Sequence, residues 1–204
     1  MAGRMIALYG INGIGKTTQA ELLVRFLQSQ GKQASRLKIP VYDLEPEGPF
    51  IYKYLHDAKF REKNEVTTEV LQEKYAKNRE RYEPELWKRL AAGEWIVAED
   101  YAGTGIAWGL TWGADLEYLE EINRGLHQPD LNILMHGERF QTATEVGHRN
   151  EMADERIKIC KNFHLLLGEH YGWEQVAANQ SIEAVSHDII TIVQDHFSEE
   201  LIRK

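Results

Sequence analysis

Glycine, four further residues, glycine, lysine and threonine follow one another without a gap at Gly10, Ile11-Asn12-Gly13-Ile14, Gly15, Lys16 and Thr17, with Thr18 next. The spacing suits a phosphate. Glycines let successive backbone N–H groups point at phosphate oxygens, and a helix beginning at the end of the run adds its positive terminus to the same anion. Lys16 is then placed to reach the outer phosphates and the Thr17 hydroxyl to bind Mg²⁺. Gly10, Asn12, Gly13, Ile14, Gly15, Lys16, Thr17 and Thr18 form the expected cofactor-binding set. A turn that merely joins strand to helix would leave the lysine and threonine without a reason.

Such a loop works only between a buried strand and a helix. Met5–Tyr9 reads as the strand, and the helical spacing of Ala20, Leu23, Val24 and Leu27 supplies the helix, closed at Gly31. Further along, strand-like runs at Ala34–Ile39, Trp95–Ala98, Leu131–Met135 and Trp173–Ala177 alternate with helical patterns. That alternation predicts a parallel sheet covered on both faces.

The helices expected after the first are Phe50–Leu55, then Thr67–Tyr82, broken at Pro84 and resuming through Trp87 and Leu90 to Gly93. After a glycine-rich connection come Ala114–Leu126, Met152–Leu167 and Ile182–His196, the last with Ser181 as N-cap. The proline-rich stretch Pro40–Pro49 reads as a structured loop, and 137–150, with Arg139, His148 and Arg149, as a lid.

A chain of 204 residues, 43% of them hydrophobic, fits one domain spanning 1–204. A formal charge of -8 argues against a nonspecific nucleic-acid surface, which needs basic patches to displace counterions, but leaves mononucleotides open. The single cysteine, Cys160, permits no intramolecular disulfide and sits in a helical pattern with Ile157, Ile159 and Phe163, where a packed thiol is expected. No signal-peptide pattern or long apolar span is present, so the expectation is a cytoplasmic protein without a membrane partner.

With these elements in place the chain resembles the thymidylate kinases over nearly its whole length. The resemblance rests on the phosphate loop continued by Thr18-Gln19, on Pro40-Val-Tyr-Asp followed by Gly48-Pro-Phe-Ile-Tyr-Lys-Tyr-Leu55, and above all on Tyr75-Ala-Lys-Asn-Arg79. It implies a P-loop NTPase fold, α/β, with a five-stranded parallel sheet, helices on both faces and a short lid. It further implies ATP and Mg²⁺ as cofactors, dTMP as acceptor, and a homodimer packed through helices. The apolar helix faces around Leu71 and Leu86 are compatible with that dimer but equally explained by the core.

The resemblance also assigns roles in the acceptor site. Tyr75 is placed to stack on the pyrimidine and Arg79 to hydrogen-bond its edge; at i and i+4 the two share one helix face. In Tyr101-Ala-Gly-Thr104-Gly105-Ile-Ala107-Trp108, Thr104 takes a hydroxyl position near the base and Trp108 an aromatic position against the sugar, unless Trp108 is simply core.

The departures from the family are concentrated at strand ends. Where relatives end the third strand in Asp-Arg-Tyr, this chain has Glu99-Asp100-Tyr101, so a carboxylate replaces a phosphate-binding arginine. Asn12 replaces a carboxylate for the sugar 3′-hydroxyl, and His136 stands where the fourth strand often ends in Asp. The expected metal set is Thr17, Glu99 and Asp100; Asp100 either carries a cation to the acceptor phosphate or points elsewhere while Lys38 supplies the lost charge. Lys16, Arg149 and Asp100 are the expected catalytic residues, with Arg139 a second lid arginine, and Asn12, Lys38, Tyr75, Arg79, Thr104 and Trp108 the substrate-binding ones. Two other readings stay open here: a kinase for another deoxynucleotide, and a nucleotide-binding regulatory module without transfer activity.

Overall fold

In the computed structural model, which describes residues 2–140, 149 and 154–201, the strands are Met5–Tyr9 (β1), Ala34–Lys38 (β2), Trp95–Glu99 (β3), Leu131–His136 (β4) and Glu174–Ala177 (β5). They form one parallel sheet in the order β2-β3-β1-β4-β5. Every residue of β1 and β3 is buried, as the runs Met5–Tyr9 and Trp95–Ala98 require in strands covered on both faces, and Glu99 is buried with them at the end of β3. The edge strands differ. β2 buries only Ala34 and Leu37, and β5 buries only Val176.

The described helices are Lys16–Ser29 (α1), Glu47–His56 (α2), Ala58–Lys63 (α3), Thr68–Ala91 (α4), Ala102–Thr111 (α5), Leu116–Glu121 (α6), Asp154–Tyr171 (α7) and Ile182–His196 (α8). α1 packs with α8, and α5 packs with α7 and α4, so the sheet is covered on its two faces by separate groups of helices. Gly31, at φ 78°, ends α1 with its N–H on the Gln28 carbonyl, and the Ser181 hydroxyl accepts from the Ala184 N–H to cap α8. Cys160 is fully buried, and burial pushes its thiol up to about 12, as befits a packed side chain. No helix among the described residues is long and apolar enough to cross a membrane.

Tertiary packing overrode several local expectations. α4 runs unbroken through Pro84, because the ring lies on the exposed side, where water can satisfy the Glu80 carbonyl it frees. Leu86 and Leu90 beyond it are anchored in the core, and Glu83 accepts from the Tyr101 hydroxyl at 3.0 Å. The glycine-rich connection after β3 is a helix, α5. Its glycines serve close approach: a Cβ on Gly103 would lie 2.5 Å from Trp173, and one on Gly109 2.6 Å from Leu119. The expected helix 114–126 contracts to α6, capped by Asp115. α2 begins earlier than expected and is followed by α3, which starts from the Asp57 cap. Leu71 and Leu86 are both buried within the chain's own fold, so the faces around them are explained without a second subunit.

This topology fixes where a ligand goes. The chain leaves β1 toward β2 and leaves β3 toward β4, so the crevice opens where the two paths diverge, at the carboxyl ends of β1 and β3. Leu8 is in register with Glu99, and the Asp100 N–H donates to the Leu8 carbonyl at 3.2 Å. The phosphate loop and the Glu99-Asp100 pair therefore meet at the crevice.

Candidate active site

At one end of the crevice the loop after β1 turns tightly into α1. Gly13 and Gly15 hold φ of 75° and 94°, in the left-handed region that glycine occupies freely. A Cβ on Gly10 would sit 2.4 Å from the Met135 carbonyl oxygen, so this glycine lets the loop pass β4. Lys16 donates from Nζ to the carbonyls of Gly10 and Ile11 at 2.8 and 2.9 Å, which folds the ammonium over the loop. The Thr17 hydroxyl donates to Glu99 Oε1 at 2.7 Å. Glu99 also accepts from Arg36 at 2.8 Å and has the Lys38 ammonium 3.6 Å away.

Asp100 is arranged differently from its neighbour. It is the one non-glycine residue with positive φ among those described, 64°, a conformation that Asp tolerates better than most side chains. Its Oδ1 accepts from the Thr104 hydroxyl at 2.9 Å and lies 3.5 Å from Lys16 Nζ. Burial pushes its carboxyl up, Lys16 pulls it down, and Glu99 adds to the rise. Glu99 thus faces Thr17, whereas Asp100 faces Lys16. The expected grouping of Thr17, Glu99 and Asp100 around one cation is not what their hydrogen bonds display, and no cluster of three acidic, histidine or cysteine side chains suited to a metal occurs among the described residues.

The other end of the crevice is built by α4. Arg79 is buried, with Nε and Nη2 donating to Asn123 Oδ1 at 3.1 and 2.7 Å. No carboxylate pairs with it among the described residues. Burial pushes the guanidinium down to about 10, opposed by Tyr101, Tyr9 and Tyr75, so it stays charged at neutral pH. A Cβ on Gly105 would come within 3.1 Å of its Nη1, which is why α5 presents a glycine there. Tyr75 stands one turn before Arg79, and burial raises its hydroxyl above the ordinary tyrosine value.

α4 also fixes the loop that rims this end. Asn78 accepts from the Val41 N–H at 2.8 Å and donates to the Val41 carbonyl at 2.9 Å. Arg81 donates to both carboxylate oxygens of Glu47, at 2.9 and 3.2 Å. The Arg149 backbone N–H donates to the Leu55 carbonyl, and its guanidinium lies 3.9 Å from the Trp112 ring centroid and 5.4 Å from that of Tyr54. Expected as a catalytic lid arginine, Arg149 lines the cavity and rests on the Trp112 and Tyr54 rings, a flat cation on flat partners.

The two ends belong to one cavity of about 390 Å³. It is lined by Asn12, Gly13, Gly15, Lys16, Thr17, Thr18, Lys38, Tyr75, Arg79, Glu99, Asp100, Thr104, Trp108 and Arg149, residues that sequence reasoning singled out separately. Four cations (Lys16, Lys38, Arg79 and Arg149) face two carboxylates (Glu99 and Asp100) in that lining, so the cavity favours anions although the chain is acidic. Trp108 is 5% exposed, part of the core and part of the cavity wall.

Gly10 and Ile14 do not line the cavity. Ile14 is packed into the core beneath the loop, leaving only its backbone to face a phosphate. Arg139 lies beyond β4, outside the lining, and His136 is a half-buried strand-end residue. Of the expected lid, positions 141–148, with His148, and position 150 fall outside the described residues. Sequence reasoning missed Arg36, Asn123 and Trp112, whose partners come from distant segments. Asn78 stood in the quoted motif without a role.

Residues 8–189 match the family profile described as thymidylate kinase. The thymidylate kinase of Homo sapiens is 30% identical over 200 residues, covering 95% of this chain and 91% of that protein. That of Schizosaccharomyces pombe is 30% identical over 201 residues, covering 95% and 92%. The solved structure of thymidylate kinase from Candida albicans matches with a TM-score of 0.80 over 100% of this chain and 96% of that one; at 21% identity this is a likeness of fold. A profile match over most of the length, together with relatives at this identity and coverage, shows that the chain belongs to the thymidylate kinase family of nucleoside monophosphate kinases, with their P-loop NTPase fold.

Proposed function

We propose that the protein transfers the γ-phosphoryl group of ATP to dTMP, releasing ADP and dTDP, with Mg²⁺ as the metal. The observation that carries this reading is the single cavity running from the phosphate loop to Tyr75 and Arg79. Transfer to a monophosphate asks mainly for alignment and charge stabilisation, because the attacking oxygen is already anionic. No strong base is needed.

Lys16 and the backbone N–H groups from Gly13 to Thr18 are assigned to the donor phosphates. Thr17 and Glu99, already joined by a hydrogen bond, fit the protein side of a Mg²⁺ site, since Mg²⁺ keeps several waters and takes one or two protein oxygens. Bound there, the ion would neutralise charge on phosphate oxygens. Asp100 is engaged by Lys16 and Thr104 and is assigned to orienting Lys16, and Lys38, half exposed in the cavity wall, to the acceptor phosphate. Tyr75 stacks on the base, Arg79 donates to a ring carbonyl, Trp108 packs on the sugar, Asn12 serves a sugar hydroxyl and Arg149 closes over the acceptor. A cytoplasmic homodimer is inferred from the family alone, and sedimentation of the purified chain tests the dimer.

The deciding experiment is ADP release from Mg·ATP with dTMP, dUMP, dCMP, dAMP and dGMP offered one at a time. Turnover led by dTMP is expected. A different leading acceptor means a kinase for another deoxynucleotide, and no turnover with any of them means a regulatory module. Calorimetric binding of dTMP at several Mg²⁺ concentrations, without ATP, tests the phosphate assignment: the affinity should ignore Mg²⁺ and fall in Lys38→Ala. Affinity that needs Mg²⁺ and vanishes in Asp100→Asn would move the acceptor phosphate onto an Asp100-bound cation.

A further inference from the structure

Gln72 lies on α4 one turn before Tyr75 and two turns before Arg79, so the three share a helix face. It is 3% exposed, nearly as buried as Arg79 at 2%, and it lines the same cavity. Its neighbours on the helix have found protein partners: Asn78 holds Val41, and Arg79 is held by Asn123. The amide of Gln72 makes no hydrogen bond to any described residue. Neither of its polar atoms is sealed from the cavity, so a ligand that displaces the cavity water there must offer the amide a hydrogen bond in exchange. The polarity therefore calls for a partner that arrives in the cavity.

The other polar groups around this point restrict what that partner does. Arg79 can only donate, so it addresses a ring carbonyl. The Thr104 proton is committed to Asp100, leaving its oxygen able only to accept. A pyrimidine imide edge offers carbonyl, N–H and carbonyl in a row, and its N–H needs an acceptor. We propose that Gln72 is a specificity-determining residue of the acceptor site, its amide oxygen accepting from the ring N–H of a pyrimidine imide stacked on Tyr75 while Arg79 donates to the adjacent carbonyl. The inference rests on the assignment of this end of the cavity to a pyrimidine nucleotide.

The test uses Gln72→Met, which keeps length and volume but removes the amide, with Gln72→Leu as a second variant should the first fold poorly. Binding of dTMP, thymidine and ATP is measured calorimetrically, beside thermal melting. The Kd for dTMP and for thymidine should rise about tenfold alike, that for ATP should stay put, and the melting temperature should hold because the amide makes no hydrogen bond to the described residues that the variant would lose. The common loss for nucleotide and nucleoside marks a base contact; a packing defect would lower the melting temperature as well. Pyrimidine affinity unchanged within twofold in a folded variant overturns the proposal. A parent that binds dTMP but releases no ADP removes the kinase reading and leaves Gln72 standing, whereas a parent that binds neither dTMP nor thymidine removes both.

Discussion

At the phosphate-loop end of the cavity Lys16, Thr17 and Glu99 each hold a protein partner, whereas at the α4 end Arg79 is buried among tyrosines with one amide for support and Gln72 has none among the described residues. A phosphate arriving at the first end must compete with loop carbonyls for the Lys16 ammonium, so what it gains is a difference between two sets of hydrogen bonds. A base arriving at the second end meets a Gln72 amide with no bond to a described residue to give up, so there it displaces only cavity water. On the proposed assignment the donor end therefore exchanges protein contacts for ligand contacts, whereas the acceptor end adds ligand contacts to groups that the fold already holds.

The largest effect that would test this contrast is expected at Lys16. Lys16→Ala should lower kcat by a factor of a hundred or more, on the order of 3 kcal/mol in the transition state, with acceptor affinity nearly intact. Near-normal turnover would detach the loop from the chemistry. Next comes Arg79→Ala, which should weaken dTMP by about 1.5–3 kcal/mol and leave ATP alone. Equal losses for both ligands in separate titrations would erase the division of labour.

Asn78→Ala should act more gently, through the Val41 loop it clamps. We expect the KM for dTMP to rise several-fold with kcat held within about twofold, since the residue is placed away from the transferring group. A fall in kcat alone would mean that the loop serves the chemistry. The smallest expected change is at Trp108: replacement by Ala should shift the ratio of kcat/KM for ribose over deoxyribose acceptors upward by a few-fold, on the order of 1 kcal/mol, by relieving bulk beside the sugar. A ratio unchanged in a well-folded variant would make Trp108 a core residue only.

The donor end was legible in the sequence because it is local: glycines, lysine and threonine lie within one turn between a strand and a helix, and their spacing alone dictates the backbone they can adopt. The acceptor face was legible in part for the same reason, since i, i+4 spacing puts Tyr75 and Arg79 on one side of α4 whatever the helix packs against. What supports them was not. Asn123 reaches Arg79 from a segment 44 residues away, and Arg36 reaches Glu99 across neighbouring strands at 63 residues' separation. No pattern along the chain signals either contact.

Local signals also failed where packing opposed them. Glycines at 103, 105 and 109 and proline at 84 read as breakers, since each is a poor helix former in isolation. In the fold the glycines admit Trp173, Arg79 and Leu119 to the surface of α5, and the proline ring faces water on a helix whose far side is anchored in the core. The sequence by itself determined the strand–loop–helix unit, the alternation that makes the sheet parallel, and the residue types of both ends of the site. Only the tertiary structure decided that Glu99 turns to Thr17 and Asp100 to Lys16, because Glu99 still lies in β3 while Asp100 leaves it at φ 64°, which aims the two carboxylates at successive residues of α1. It alone decided, too, that Gln72 ends in the cavity wall without a protein partner among the described residues, since whether a helical amide is satisfied depends on every segment packed around it.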